Sequence, residues 1–521
     1  MATLERSTKR DGLLNQIQGY ALMHFGPVWR LIQKVDSIDR FVNAALINNA
    51  IYKTSTRPYA FSTMSNYSSW ESLTDRTFSG RHLPEATTDP AKLPPVTELV
   101  DLFRRGPSGT RFSDKSTLLF PYFAQWFTDG FLRTDRADQR KNTSNHEIDL
   151  SQLYGLNRSV TALIRTGSCG KLKSQMLGDE EYPPYYYDGD KPKEEFRDLP
   201  VKVQPGLPPE RLASLFAMGG ERANVNIGYA MMNVLFLREH NRICGELAQA
   251  YPTWNDERLF QTTRNVLIVI LIKIVIQEYI NHITPYYYKF KLHPASSPNQ
   301  RWRRQNWMSV EFNLLYRWHG LLPDTFRLDG KDLPMEDGSF NNALITGQGL
   351  GKSFEAATDQ AAGQIGMKNT PTFLLSTEKA SIELGRYVRL QSYNDYRVAC
   401  QYPRVTDFDQ ITGDREVQER LKALYHNVDA IEFYTGLFAE DTRENSAVGP
   451  MIGRFVGVDA FSQALTNPLL SFNLYNKETF SPCGWTILHE TTSLGDILRR
   501  NLPPGSRVFR VSMTRQGAKI E

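Results

Sequence analysis

The stretch VLIVILIKIVI, Val266 to Ile276, most constrains what this chain can fold into. Its apolar residues must leave water together, with Lys273 the one charge among them. The run is about half of the roughly 20 residues that a helix needs to cross the hydrocarbon of a bilayer. Helical periodicity continues from about 256 to 290, so the run reads as the middle of a long helix buried in protein. A helix apolar on every side needs neighbours on every side. Helical patterns at 117–135, 210–220, 225–250, 305–319, 377–390, 415–440 and 458–466 supply them, and alternating strand patterns are few. The expected class is therefore all-α with few short strands.

Residues 54–115 and 178–210 are rich in Pro, Ser, Thr, Tyr and Asp and carry no usable period, so they read as long loops over a helical body. From 12 to 52 the apolar residues fall in short helical segments, broken at Gly26-Pro27 and at Asp36-Ser37. Such a series suits packing on a core or lying in a membrane interface, and both readings stay open. The organisation expected is an N-terminal set of amphipathic helices over 1–55 and one large helical domain over 56–521.

A net charge of +4 over 521 residues is too small to imply a nucleic-acid partner, and the basic stretch RWRR at 301–304 reads as a surface patch. Cys169, Cys244, Cys400 and Cys483 stand far apart without a C-x-x-C spacing, which argues against a zinc site and a disulfide framework. A reducing, cytoplasmic location is the expectation, with peripheral membrane contact through the N-terminal helices as an addition. The first residues lack the apolar core of a signal peptide.

The segment EFNLLYRWHGLLPDTF, 311 to 326, carries the chemistry. In a helix Tyr316 and His319 stand at i and i+3 and share a face. One histidine without a second ligand at metal spacing cannot close a zinc site, but it suffices as the proximal ligand of haem iron, because the porphyrin supplies the other four. A lone histidine in an apolar helix is also commonly a satisfied core residue. By itself the segment leaves both readings open.

That segment, FAQWFTDGF (123–131), ERANVNIGYAMMNVLFLREHNRICGEL (221–247), IKIVIQEYINHITPYYYKFKLHP, RLQSYNDYR and ALYHNVDAIEFYTGLFAED together resemble the cyclooxygenase (prostaglandin-endoperoxide synthase) family of the animal-type haem peroxidase superfamily, in the family's order over roughly residues 24 to 500. The resemblance implies a cyclooxygenase-like catalytic domain over 56–521, haem b as cofactor, and a polyunsaturated fatty acid such as arachidonate and O2 as substrates. It implies a homodimer as well. His319 matches the proximal haem ligand and Tyr316 the tyrosine that becomes the catalytic radical. Trp318, Leu314 and Leu315 would form the wall between haem and substrate. Tyr279 matches the hydrogen-bond partner of the radical tyrosine. Ile280, Ile283, Thr284 and Tyr286 match the fatty-acid channel, and Tyr434 a tyrosine on the proximal side. A phenol beside an oxidised haem can give up an electron and a proton, and the tyrosyl radical can then take a hydrogen atom from a bis-allylic carbon, to which O2 adds.

Several positions depart from the family. Gln125 is present, but Asp129 stands where the family has a distal histidine, so weak peroxidase activity is expected. Arg222 is placed to pair with Asp129, or each pairs elsewhere at the pocket rim. Lys53 occupies the register of the arginine that pairs the fatty-acid carboxylate, with Arg57 nearby, and lysine lacks the bidentate fork. Ala460 falls at the serine that aspirin acetylates, with Ser462 two residues away, and Arg454 falls where the family has a glutamate. No stretch matches the family's growth-factor-like module or its signal peptide. The expected function is a haem-dependent fatty-acid oxygenase of cyclooxygenase type. The alternatives are a dioxygenase that stops at a hydroperoxide, or a haem-binding protein with reduced catalysis.

Overall fold

A computed structural model describes residues 13–54, 64, 67–294 and 299–518. The long central helix is where the apolar run placed it. It begins at Asp256, where the Asn255 side chain accepts from the Arg258 amide and Asp256 and Glu257 face the positive end of the helix dipole. It runs unbroken to Ile283, 28 residues, which is long and apolar enough to cross a membrane, yet 83% of its most apolar window is buried inside the fold. The neighbours are the Ile227–Ala250 helix and the Lys477–Glu490 helix. Lys273 keeps its charge solvated by donating from Nζ to the carbonyls of Leu488 (3.0 Å) and His489 (2.9 Å), at the negative end of the Lys477–Glu490 helix.

The Ile227–Ala250 helix is capped by Asn226 and also packs against the Leu119–Thr128 helix, whose residues are buried but for Gln125. Among the described residues the strands form two-stranded sheets, such as Phe112–Thr117 against Ala361–Gly363, largely buried, and Thr325–Leu328 against Lys331–Pro334, largely exposed. Two helices contain a π-helical segment, Val275–Ile280 and Val456–Ala460. Such a segment inserts one extra residue into a turn and is frequent at functional sites.

The Asp36–Ile51 helix packs onto the body through polar groups. Asp39, fully buried, accepts from Tyr288 Oη (2.8 Å) and Lys291 Nζ (2.7 Å), and the Asn43 amide pairs both ways with the Lys291 backbone. The opposite side of the N-terminal helices is apolar and in water: Leu31 is 66% exposed and Phe41 75%. Both faces of the amphipathic pattern are thus accounted for.

Several expected helices are shorter than their patterns. The 117–135 pattern yields only Leu119–Thr128, preceded by a strand, and 210–220 yields Pro209–Ala213. The 415–440 pattern splits into Arg415–Tyr425 and Phe433–Ala439, because His426 takes a positive φ of 60°. Most consequential is 305–319: the helix is Val310–Leu315, Tyr316 is its last half-turn, and His319 opens a separate 3-10 turn, His319–Leu321. Tyr316 and His319 therefore do not share one helical face. Tertiary contacts override the local pattern here: Trp318 packs on Phe120 and Tyr279, and His319 turns to Glu378.

Candidate active site

His319 presents its ring from the start of the 3-10 turn, with Nδ1 2.9 Å from Glu378 Oε1. Glu378 comes from the Leu375–Tyr387 helix and is 1% exposed. Its Oε1 also accepts from Thr370 Oγ1 (2.7 Å) and its Oε2 from the Tyr434 hydroxyl (2.5 Å). A carboxylate on Nδ1 makes that nitrogen the N–H donor and turns Nε2, with its lone pair, outward. This is the usual way a protein fixes a metal-ligating histidine. Tyr434 thus acts one step removed from His319, through Glu378.

Trp318 bridges to the tyrosines. Its ring lies 4.7 Å from that of Tyr316, 6.5 Å from Tyr279 and 5.5 Å from Phe120, centroid to centroid. Among the described residues neither the Tyr316 nor the Tyr279 hydroxyl makes a hydrogen bond of full geometry, although the two are close enough to act on each other. Burial raises both phenols above their ordinary range, and each perturbs the other. Tyr279 is carried, fully buried, by the π segment Val275–Ile280.

On the Leu119–Thr128 helix Gln125 is exposed and its Oε1 accepts from Asn226 Nδ2 at 2.8 Å. Asp129 caps this helix. Its Oδ1 accepts from Arg222 Nη1 (2.7 Å) and its Oδ2 from Tyr229 Oη (2.8 Å). The Asp129 side chain is 6% exposed and that of Arg222 48%, so the pair spans from interior to opening. Asp129 holds the Arg222 guanidinium above its ordinary range, and burial with Asp129 does the same to the Tyr229 phenol. Arg317 is within electrostatic reach of Arg222, Asp129, Glu378 and Tyr434, so the two clusters border one region.

A pocket is lined by Lys53, Ile280, Ile283, Thr284 and Tyr286, which the sequence singled out, and by Tyr402, Arg443 and Arg454; Tyr279 and Tyr316 are not on its lining. Arg443 Nη2 donates to Tyr402 Oη (2.9 Å), and the Arg454 guanidinium stands 4.2 Å above the Tyr402 ring. Ala460 and Ser462 are not on this lining. Ala460 is buried in the second π segment, and Ser462 Oγ donates back to the Asp459 carbonyl at 3.2 Å. Arg57 lies outside the described residues. Among the described residues no group of three metal-ligating side chains occurs, which leaves His319 as a single-histidine candidate.

The animal haem peroxidase family model matches residues 104–511. The chain belongs to this family. Within it the chain is 33% identical over 503 residues to prostaglandin G/H synthase 2 of Bos taurus, covering 93% of this chain and 80% of that protein. It is 32% identical over 488 residues to prostaglandin G/H synthase 1 of Rattus norvegicus, covering 88% and 78%. That identity and coverage place it in the cyclooxygenase branch. The fold is shared with peroxidase A from Dictyostelium discoideum (TM-score 0.66, 19% identity, 89% of this chain and 97% of that one). It is shared with a fatty acid alpha-dioxygenase from Oryza sativa as well (TM-score 0.68, 15% identity, 96% of each).

Members of the family are haem-dependent, and the residues here fit the group: a histidine with one nitrogen fixed by a buried carboxylate and the other left for iron. Glu378, Thr370 and Tyr229 escaped the sequence reading. Nothing in the pattern of the 377–390 helix distinguished Glu378 from a solvated glutamate. A buried pair, His82 Nε2 to Asp459 Oδ2 at 3.1 Å, also went unnoticed, because its members are 377 positions apart.

Proposed function

We propose that the protein is a haem-dependent fatty-acid oxygenase of cyclooxygenase type, which takes a polyunsaturated fatty acid such as arachidonate and O2 to a prostaglandin endoperoxide. One observation carries this reading: Tyr316 and Tyr279 are two buried, mutually coupled phenols packed beside Trp318, the residue before His319, while Ile280, the residue after Tyr279, lines the pocket. A protein that merely held haem would need neither phenol. Bound haem supplies the one-electron oxidising power. Tyr316 would surrender its hydroxyl hydrogen and then take one from the bis-allylic carbon, while Tyr279 orients its oxygen. The burial that raises both phenols keeps the neutral O–H form in place. Lys53 would meet the fatty-acid carboxylate at the pocket's outer end.

A second reading, a dioxygenase whose product is a hydroperoxide, draws on Asp129. Arg222 and Tyr229 occupy both of its oxygens, which leaves it little capacity to assist O–O cleavage, so a hydroperoxide would survive. Incubation of the haem-loaded protein with arachidonate and oxygen, followed by product analysis, decides. Endoperoxide-derived prostaglandins support the first reading and a mono-hydroperoxide the second. No oxygenated product would sink both.

The exposed apolar side chains of the N-terminal helices, Ile17, Phe25, Val28, Leu31 and Phe41 among them, favour peripheral attachment to a membrane surface. Co-sedimentation with phosphatidylcholine vesicles, abolished by Leu31→Ser with Phe41→Ser, tests it.

A further inference from the structure

We infer that Glu378 is a positioning residue that makes His319 an electron-rich ligand, so that the bound iron is held toward its ferric state. The inference rests on His319 being the haem ligand, and goes beyond it in assigning a tuning element to the opposite nitrogen.

The acceptor on Nδ1 is a carboxylate, not a carbonyl or an amide, and lies at 2.9 Å. A carboxylate polarises the Nδ1–H bond more than a neutral acceptor does, pushing electron density through the ring to Nε2. Next, the carboxylate is fully enclosed, 1% exposed, and among the described residues no lysine or arginine lies within ion-pair distance of it. Its partners are one imidazole and the hydroxyls of Thr370 and Tyr434. A buried anion is costly unless paired; Arg317 acts on this one only from beyond ion-pair distance, so the positive charge it can meet in direct contact is that on His319 or on what His319 binds. Lastly, the two hydroxyls grip separate oxygens. The carboxylate therefore cannot rotate away, and its charge is preorganised at the imidazole edge.

The assignment also gives the clamped Asp129 a counterpart. A strongly donating proximal ligand favours O–O cleavage from behind the metal, as a thiolate does in other haem proteins.

The test uses the full chain reconstituted with haem and reads the ferric/ferrous midpoint potential by spectroelectrochemistry and the ferrous iron–histidine stretch by resonance Raman. Glu378→Gln keeps an acceptor and removes the charge. It should move the equilibrium toward ferrous by tenfold or more, about 59 mV for a one-electron couple, and lower the stretching frequency. Tyr434→Phe removes a donor from the same carboxylate, so the charge felt by His319 grows and the shift runs toward ferric. Loosened packing would not give shifts of opposite sign. An unchanged potential in Glu378→Gln with haem bound overturns the inference. If that variant loses haem, the Tyr434→Phe shift decides alone, and no shift toward ferric overturns it. His319→Ala tests the underlying reading separately: survival of the iron–histidine band there refutes His319 as the ligand, whatever Glu378 does.

Discussion

Arg222 Nη1 lies 2.7 Å from Asp129 Oδ1, while the Tyr229 hydroxyl closes on the other carboxylate oxygen at 2.8 Å. A group held at both oxygens cannot shuttle a proton. Asp129→His replaces the clamp with a neutral base, and general acid–base help of this kind contributes roughly 100-fold or more. Steady-state peroxidase turnover with hydrogen peroxide and guaiacol should rise at least tenfold on that scale. Turnover left unchanged would show that Asp129 does not face the peroxide site.

Tyr316→Phe should abolish oxygen uptake with arachidonate, by about 100-fold or to background, because no hydroxyl hydrogen remains to be exchanged. The Soret band should keep its position and intensity, since His319 and Glu378 are untouched. An oxygen electrode and an absorption spectrum read both. Uptake that survives in the variant sinks the radical assignment.

Lys53 is the residue proposed to anchor the carboxylate at a pocket that also holds Arg443 and Arg454. A lysine acts there as a point charge without a bidentate fork. Lys53→Ala should raise KM for arachidonate about tenfold, equivalent to about 1.4 kcal/mol, with kcat little changed. The methyl ester of arachidonate, which has no charge to lose, should show equal KM with either protein. An unaltered KM for the free acid would move the anchoring role to the two arginines.

Lys115 is buried and donates to the carbonyls of Thr284 (2.7 Å) and Asn445 (2.6 Å). Burial, with repulsion from Lys289, lowers it from an ordinary 10.5 to about 7. Between those pH values the unfolded chain holds a proton that the folded chain does not, so stability rises with pH across that window, by up to a few kcal/mol. Thermal melts at pH 7 and pH 9.5 should show Tm increasing, and Lys115→Met should flatten the slope. A slope equal in the variant would mean that Lys115 is not the titrating group.

How legible these features were in the sequence depended on the range of the forces behind them. The central helix was plain, because eleven consecutive residues leave no other place to put so much apolar surface. Tyr316 and His319 stood out by their spacing but took their roles from the family resemblance, which alone supplied Tyr279, and the structure packs both tyrosines against Trp318, the residue before His319. The end of the Val310–Leu315 helix was illegible, since the contacts made just beyond it, His319 to Glu378 and Trp318 to Phe120 and Tyr279, are to residues distant in the chain. Glu378 was illegible for the same reason: its neighbours Thr370, His319 and Tyr434 are 8, 59 and 56 positions away. The N-terminal pattern left two readings open; the structure shows one face packed on the body and an opposite apolar face exposed.

The π segment Val275–Ile280 makes Tyr279 depend on a residue count. Deleting one residue from that segment would restore a regular α-helix and rotate whatever precedes it against whatever follows by about 100°. Every side chain involved could be kept and the phenols would still no longer meet. In evolutionary terms the oxygenase geometry proposed here is guarded by chain length at one turn, so a single-codon deletion there is a more complete loss than most substitutions.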